Sequence, residues 1–290
     1  MKPNRNGSKG SALAGLGGAQ ARDGSPCRKT LDPVALKHRE LEQIAMVALR
    51  AARLMMESGG RAQVVRDCGA MVAVGLGAET VALRGGYASM EITVTSGINT
   101  STRMIAVGRL GVNHRLDQAI RRLASRVAKG DLTIAETNEE LSRLAHTTPR
   151  HPAWFVAIAV GLACTAFGRL LGLDWPAFLP VLVAGGVGQY TRHTLLAHGT
   201  NPFLVAALIA FLSATIGGFG ARLAGSAMVD LAMMASILLL VPGVPATNAQ
   251  ADIMDGYPTL GSAQAVSVIM TMVFAATGVL FAQALLGLRL

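Results

Sequence analysis

Residues 152–290 hold only four basic side chains, Arg169, Arg192, Arg222 and Arg289, and four acidic ones, Asp174, Asp230, Asp252 and Asp255. A water-soluble domain of that length would carry far more charge on its surface. A segment immersed in hydrocarbon would not, because each ionised group there is costly. The remaining 22 Lys/Arg and 13 Asp/Glu lie in residues 1–151, which therefore carry the whole net charge of +9. The chain thus divides into an α-helical transmembrane bundle preceded by a small cytoplasmic α+β domain. The basic excess suits the anionic inner face of a bilayer, where cytoplasmic segments are rich in Lys and Arg. No basic-aromatic motif points to nucleic acid.

Three regions follow. Residues 1–31 are rich in Gly, Ser and Ala, hold no apolar core of a secretory signal, and read as a disordered tail. Residues 32–151 form the α+β domain. Asp32-Pro33 offers a helix start, and Leu41, Ile44, Ala48, Ala51 and Met55 recur at helical spacing before Gly59-Gly60. A second helix runs over 62–76. Strands are predicted at 79–83, 89–95 and 102–107, with Met90, Ile92 and Val94 alternating onto one face. Helices return at 116–129 and, behind the capping box Thr133-Ile-Ala-Glu136, to about His146. Cys27, Cys68 and Cys164 are too few and too widely spaced for a disulfide framework or a zinc site. No cofactor or metal is expected.

Residues 152–290 divide at their Pro, Gly and charged breaks into about five spans, at 153–171, 177–196, 202–219, 227–241 and 263–286. A crossing helix needs about 20 residues. The second span holds Pro180 and Gly185-Gly186-Val-Gly188, and the fourth ends in Pro242-Gly243-Val244-Pro245, so both read as short or interrupted. Broken helices survive in a membrane only where they face protein or a water-filled cavity. Loop charge does not settle orientation. The large basic domain places the N-terminus inside.

The stretch from Leu240 to Gly256 is the main candidate for chemistry. Prolines on both sides of Gly243 break a helix and leave orphan carbonyl and N–H groups, which transporters use to hold charged substrate groups. Pro242, Gly243, Pro245, Asn248, Asp252 and Gly256 are the candidate pathway residues, and Asn248 and Asp252 would share one helix face. The bland alternative is an ordinary polar loop at the membrane surface. Asp230, near the start of the fourth span, is a candidate proton or cation carrier or else a helix cap at the interface. Arg192 is a possible anion contact, although positive-inside topology accounts for it without a site. No phosphate loop, GxSxG or HExxH pattern occurs, and no enzyme is expected.

At these residues the chain resembles the threonine/serine exporter family of inner-membrane transporters. The resemblance runs from about Leu36 to Leu290. It is most specific at Val241-Pro-Gly-Val-Pro245, Asn248, Asp252, Gly256 and Gly261. It extends to Leu54-Met-Met-Glu57-Ser-Gly59, Gly111-Val-Asn113, Gly130-Asp131-Leu132-Thr133 and Pro152-Ala-Trp154. Two positions depart from the pattern: Gln264 stands where an Arg is expected, and Arg61 where an acid is often found. The family's full-length form has two membrane halves, and this chain has one. It is therefore similar to the split, two-component type. The resemblance implies a secondary exporter subunit moving threonine or serine by proton antiport, or a dicarboxylate such as succinate. Its partner would be a short membrane subunit or a second copy. A membrane-anchored regulatory or scaffold subunit is the alternative from another class.

Overall fold

The computed structural model describes residues 36–148 and 151–287. The expected tail and the Asp32-Pro33 helix start lie outside the described residues, as do Cys27 and Arg289. The first helix, α1 (His38–Glu57), buries Leu41, Ile44, Ala45, Ala48, Ala51, Ala52 and Met55 along one stripe. Against it pack α2 (Ala62–Gly75) and an antiparallel meander of β1 (Thr80–Gly85), β2 (Ser89–Ser96) and β3 (Asn99–Ala106). The register pairs Leu83 with Ile92 and Val94 with Ser101, so the alternation in β2 turns Met90, Ile92 and Val94 into the core. Helices α3 (His114–Ala128) and α4 (Ile134–Thr147) add Ile120, Leu123, Val127 and Leu141. The Asn113 side chain caps α3, and the Thr133–Glu136 capping box opens α4. Each large apolar side chain so buried contributes about 1.5–3 kcal/mol.

The charge-poor half contains α5 (Ala153–Leu170), α6 (Phe178–Ala197), α7 (Pro202–Leu223), α8 (Val229–Ser236), α9 (Gly243–Met254) and α10 (Pro258–Leu286). A single 3-10 turn, Leu238–Leu240, separates α8 from α9. Among the described residues, α5, α7 and α10 are long and apolar enough to cross a membrane.

Three sequence expectations need correction here. The second span is not interrupted: α6 runs unbroken. Pro180 falls in its first turn, where its missing N–H has no intrahelical acceptor to lose. The α6 glycines are packing positions, since a Cβ on Gly185 would come within 3.2 Å of Cys164 Cβ and Sγ on α5. The fourth span is shorter than expected, because α8 has only eight residues and helical structure resumes beyond Pro242 as α9. The fifth begins earlier, at Pro258. The 29 residues of α10 reach about 44 Å at 1.5 Å per residue, well beyond an approximately 30 Å hydrocarbon core. The excess belongs to the N-terminal half: Leu260 is buried in the core built by α1, α2 and the sheet.

Ala35–Leu290 forms one unit, and contacts identify its two ends. At one end Arg109 Nη1 donates to Leu196 O in the last turn of α6 (3.3 Å), and the α9–α10 connection meets the α1–α2 turn. At the other end Arg222 Nη1 donates to Leu286 O (2.9 Å), and Ser226 Oγ donates to Asp174 (2.7 Å).

Candidate functional site

Two prolines and a glycine set the break between α8 and α9. Pro242 is the N-cap of α9, with φ −79° and ψ 65°, and Pro245 is its third residue. Both tolerate these places because first-turn N–H groups lack intrahelical acceptors. Gly243 N–H turns back to Val241 O at 2.8 Å, and Ala246 N–H makes the first helical bond, to Pro242 O at 3.0 Å. Neither proline carries an N–H, so Val244 holds the one first-turn N–H without an acceptor among the described residues. The break is therefore a sparse anion cradle. The polar groups of α9 lie further along.

Asn248 and Asp252 share a face of α9, and that face meets the α1–α2 turn. Asn248 Nδ2 donates to Gly59 O at 2.9 Å. Asp252 is wholly buried, and its Oδ1 accepts from the Ala62 N–H at 2.9 Å. Ala62 is the first residue of α2, whose N-cap, Arg61, supplies no side-chain cap of its own. Asp252 thus caps α2 from another part of the chain, filling an orphan donor with a carboxylate at the positive end of the helix. Its Oδ2 accepts from Gln264 Nε2 of α10 at 3.3 Å. Asp255, at the end of α9, forms an ion pair with Arg61 at 2.6 Å. Two carboxylates sit at the negative end of α9, and Arg61 offsets them.

The chain geometry around this cluster depends on close approach. Gly256 follows α9 with φ +88°, which lets the backbone reverse so that Tyr257 N–H reaches Asp252 O at 2.7 Å. A Cβ on Gly261 would meet Ile253 Cγ1 at 2.6 Å and Ala249 O at 2.7 Å, so α10 leaves pressed against α9. The Arg66 guanidinium lies over the Tyr257 ring at 5.5 Å, and Tyr87 Oη donates to Ser267 Oγ at 3.4 Å. On the opposite side of the turn, Glu57 accepts from Arg53 Nε (2.6 Å) and Gly108 N–H (2.7 Å). Gly111 N–H donates to Glu57 O and Asn113 N–H to Ser58 O. The separate sequence signals at 54–59, 111–113 and 241–256 therefore converge on one turn.

Two predicted residues stand apart from this cluster. Asp230 is exposed in the first turn of α8, at the end marked by Asp174 and Ser226, where a carboxylate suits a helix N-terminus. Arg192 is half-buried on α6, one turn before Leu196, and among the described residues it has no hydrogen bond or ion pair to Asn248 or Asp252. An open cleft of about 1120 Å³ between α1 and α4, lined by Arg39, Arg50, Met46 and Ile105, contains none of the predicted residues. Arg61, the Ala62 N–H and Gln264 complete the Asp252–Asp255 cluster, although only their mismatch with the resemblance pattern singled out positions 61 and 264 in the sequence.

The family described as "Putative threonine/serine exporter" matches residues 46–286. The chain is 27% identical over 257 residues to a protein of Klebsiella aerogenes named "Probable succinate transporter subunit YjjP", covering 86% of this chain and 96% of that one. It is 36% identical over 142 residues to the protein of the same name from Escherichia coli, covering 48% and 55% respectively. No solved structure matches. The match over residues 46–286, most of its length, shows that the chain belongs to the threonine/serine exporter family.

Proposed function

We propose that this chain is the long subunit of a split secondary exporter in the inner membrane, moving a small carboxylate-bearing metabolite outward. Short dicarboxylates of the succinate kind are the first cargo, in line with the names of both relatives. Threonine or serine is the second, in line with the family's description. In this reading α5, α6, α7, the broken pair α8–α9, and α10 make five crossings. The two helices of the broken pair would supply about 12 and 18 Å, together about one hydrocarbon thickness. The N-terminal half lies in the cytoplasm. Five crossings make half of a transport unit, since inverted repeats around a midplane site need both halves. A short membrane subunit or a second copy supplies the rest.

One observation carries the mechanism: the buried Asp252 caps α2 across the α9 interface. An anionic Asp252 suits both the α2 N-terminus and nearby Arg61. A protonated one loses that attraction and presents a weaker acceptor. Proton binding would then loosen the α1–α2 turn from the broken helix, which couples a proton to movement of the segment lining the cargo path. The test is efflux of labelled succinate and labelled threonine from vesicles holding this chain and its partner. Asp252→Asn should abolish the pH dependence of efflux. Full efflux with unchanged pH dependence would remove Asp252 from the mechanism.

A further inference from the structure

The charges of the membrane half can be followed one at a time. Arg169 donates to Leu173 O and stacks over Trp175 at 4.4 Å. Arg222 donates to Leu286 O. Asp174 accepts from Ser226 and the Ala227 N–H, Asp252 from Ala62 and Gln264, and Asp255 pairs with Arg61. Asp230 is exposed at a helix start. That leaves Arg192. Among the described residues it is the one charged side chain of this half that is both partly buried and without an ion pair or hydrogen bond.

Arg192 extends the buried face of α6. Val181, Ala184, Gly185 and Gly188 form the buried stripe of α6, and Arg192 continues it one turn beyond Gly188. Gly188 lies against Ile209 and Ser213 of α7. One turn after Arg192, Leu195 and Leu196 pack against the apolar cluster of Val205, Ile209 and Leu240. Three residues before it, the Gln189 side-chain oxygen is buried with no hydrogen-bond partner. Ionisable groups inside a membrane bundle are paired with one another or mark a substrate path, and among the described residues no acid pairs with Arg192. Its end of α6 is also the end at which Asp252 and the α1–α2 turn meet, through the Arg109–Leu196 contact.

We propose that Arg192, with Gln189, binds a carboxylate of the cargo. This rests on the exporter reading above. A guanidinium presents a planar pair of donors that matches a carboxylate bidentately. The Gln189 amide adds one further bond, accepting from a cargo hydroxyl or ammonium, or donating to a second carboxylate after rotation. The carboxylate is common to both cargo classes, so the Arg192 contact does not depend on which is right.

Binding and flux are measured separately. Equilibrium dialysis on the purified full-length chain with its partner uses labelled succinate and labelled threonine, each in competition with its methyl ester. In wild type, esterification should weaken competition about 10- to 100-fold, as expected for losing a hydrogen bond to a charged group. Arg192→Gln should weaken binding of the acid by a similar factor and no longer distinguish acid from ester. Arg192→Lys should keep part of the discrimination. Full acid–ester discrimination in Arg192→Gln overturns the proposal. So does loss of assembly with unchanged affinity per assembled unit, which would make Arg192 a partner for an acid on another subunit. Wild-type protein that binds cargo but moves none in vesicles would refute the exporter reading and leave the Arg192 site standing.

Discussion

Replacing Asp252 tests whether the α9 interface is held by a cap or merely by packing. Asp252→Ala removes two acceptors at once. Loss of a helix cap costs about 0.5–2 kcal/mol. Leaving the buried Gln264 amide without its acceptor adds about 1–3 kcal/mol, although part of this is recovered if the amide turns. A net loss of about 2–4 kcal/mol is expected. Asp252→Asn keeps an oxygen for the Ala62 N–H, and Gln264 can rotate to offer its own oxygen to the new NH2. It forfeits only the charge–dipole attraction, about 1 kcal/mol. For a chain of this size each kcal/mol moves the melting temperature by about 2–4 °C. The assay is thermal unfolding in detergent, followed by hydrogen exchange of residues 59–66. The alanine variant should melt about 4–16 °C lower and expose the start of α2 to exchange, while the asparagine variant should fall by only about 2–4 °C. An alanine variant melting within about 2 °C of wild type, with residues 59–66 still protected, would show that packing alone holds the interface and that Asp252 is not its cap.

Other positions give independent checks. Gly278→Ala should sharply lower the folded yield in detergent, because its Cβ would run into Ala207 O and come within 2.9 Å of Ala210 Cβ and Phe211 N on α7, where backbone must move. Burial pushes the Cys68 thiol up to about 12, so maleimide at pH 8 should leave the Cys68 peptide unmodified until the protein unfolds, as read by peptide mass mapping. The Thr133 backbone N–H and then its hydroxyl hold the Glu136 carboxyl below its ordinary 4.5. With the folded value depressed, its stabilising effect is complete above the ordinary value and fades as pH falls through the folded one, so Glu136→Gln should flatten the acid limb of unfolding below about pH 4.5.

The sequence reveals local rules well and distant contacts poorly. The Thr133–Glu136 box, the β2 alternation and the Pro-Gly-Val-Pro break are each decided by a few neighbouring residues, and all three occur where they are expected. The continuity of α6 was hidden, because Pro180 is harmless in a first turn and disruptive one turn later, and sequence does not fix a helix start to that accuracy. Helix beyond the break was expected from about Pro245 and begins at Gly243, whereas the early end of α8 was hidden because hydropathy records where apolar residues stop, not where the backbone leaves the helix. The Asp252 contact had no side-chain signature at all: its partner is a backbone N–H 190 residues away. Arg61 and Gln264 were visible only as departures from a pattern. Their meaning required the fold that brings both to one pair of acids.

Those two departures describe a cation in a different place. The resemblance pattern puts an arginine on α10 and an acid near the α1–α2 turn, whereas here the arginine is on the turn and the α10 residue is a neutral amide. Asp255 therefore draws its countercharge from the N-terminal half, and Asp252 gives its charge to the α2 N-terminus in the same half. The broken helix is thus tied to the α1–α2 turn by an ion pair, a trans cap and the Asn248–Gly59 bond, with Arg66 over Tyr257 beside them. Gly59 (φ +89°) and Gly256 (φ +88°) sit on the two sides of this contact, each in a backbone conformation that other residues rarely adopt. A displacement of α9 relative to the α1–α2 turn would have to break the ion pair, the trans cap and the Asn248–Gly59 bond together.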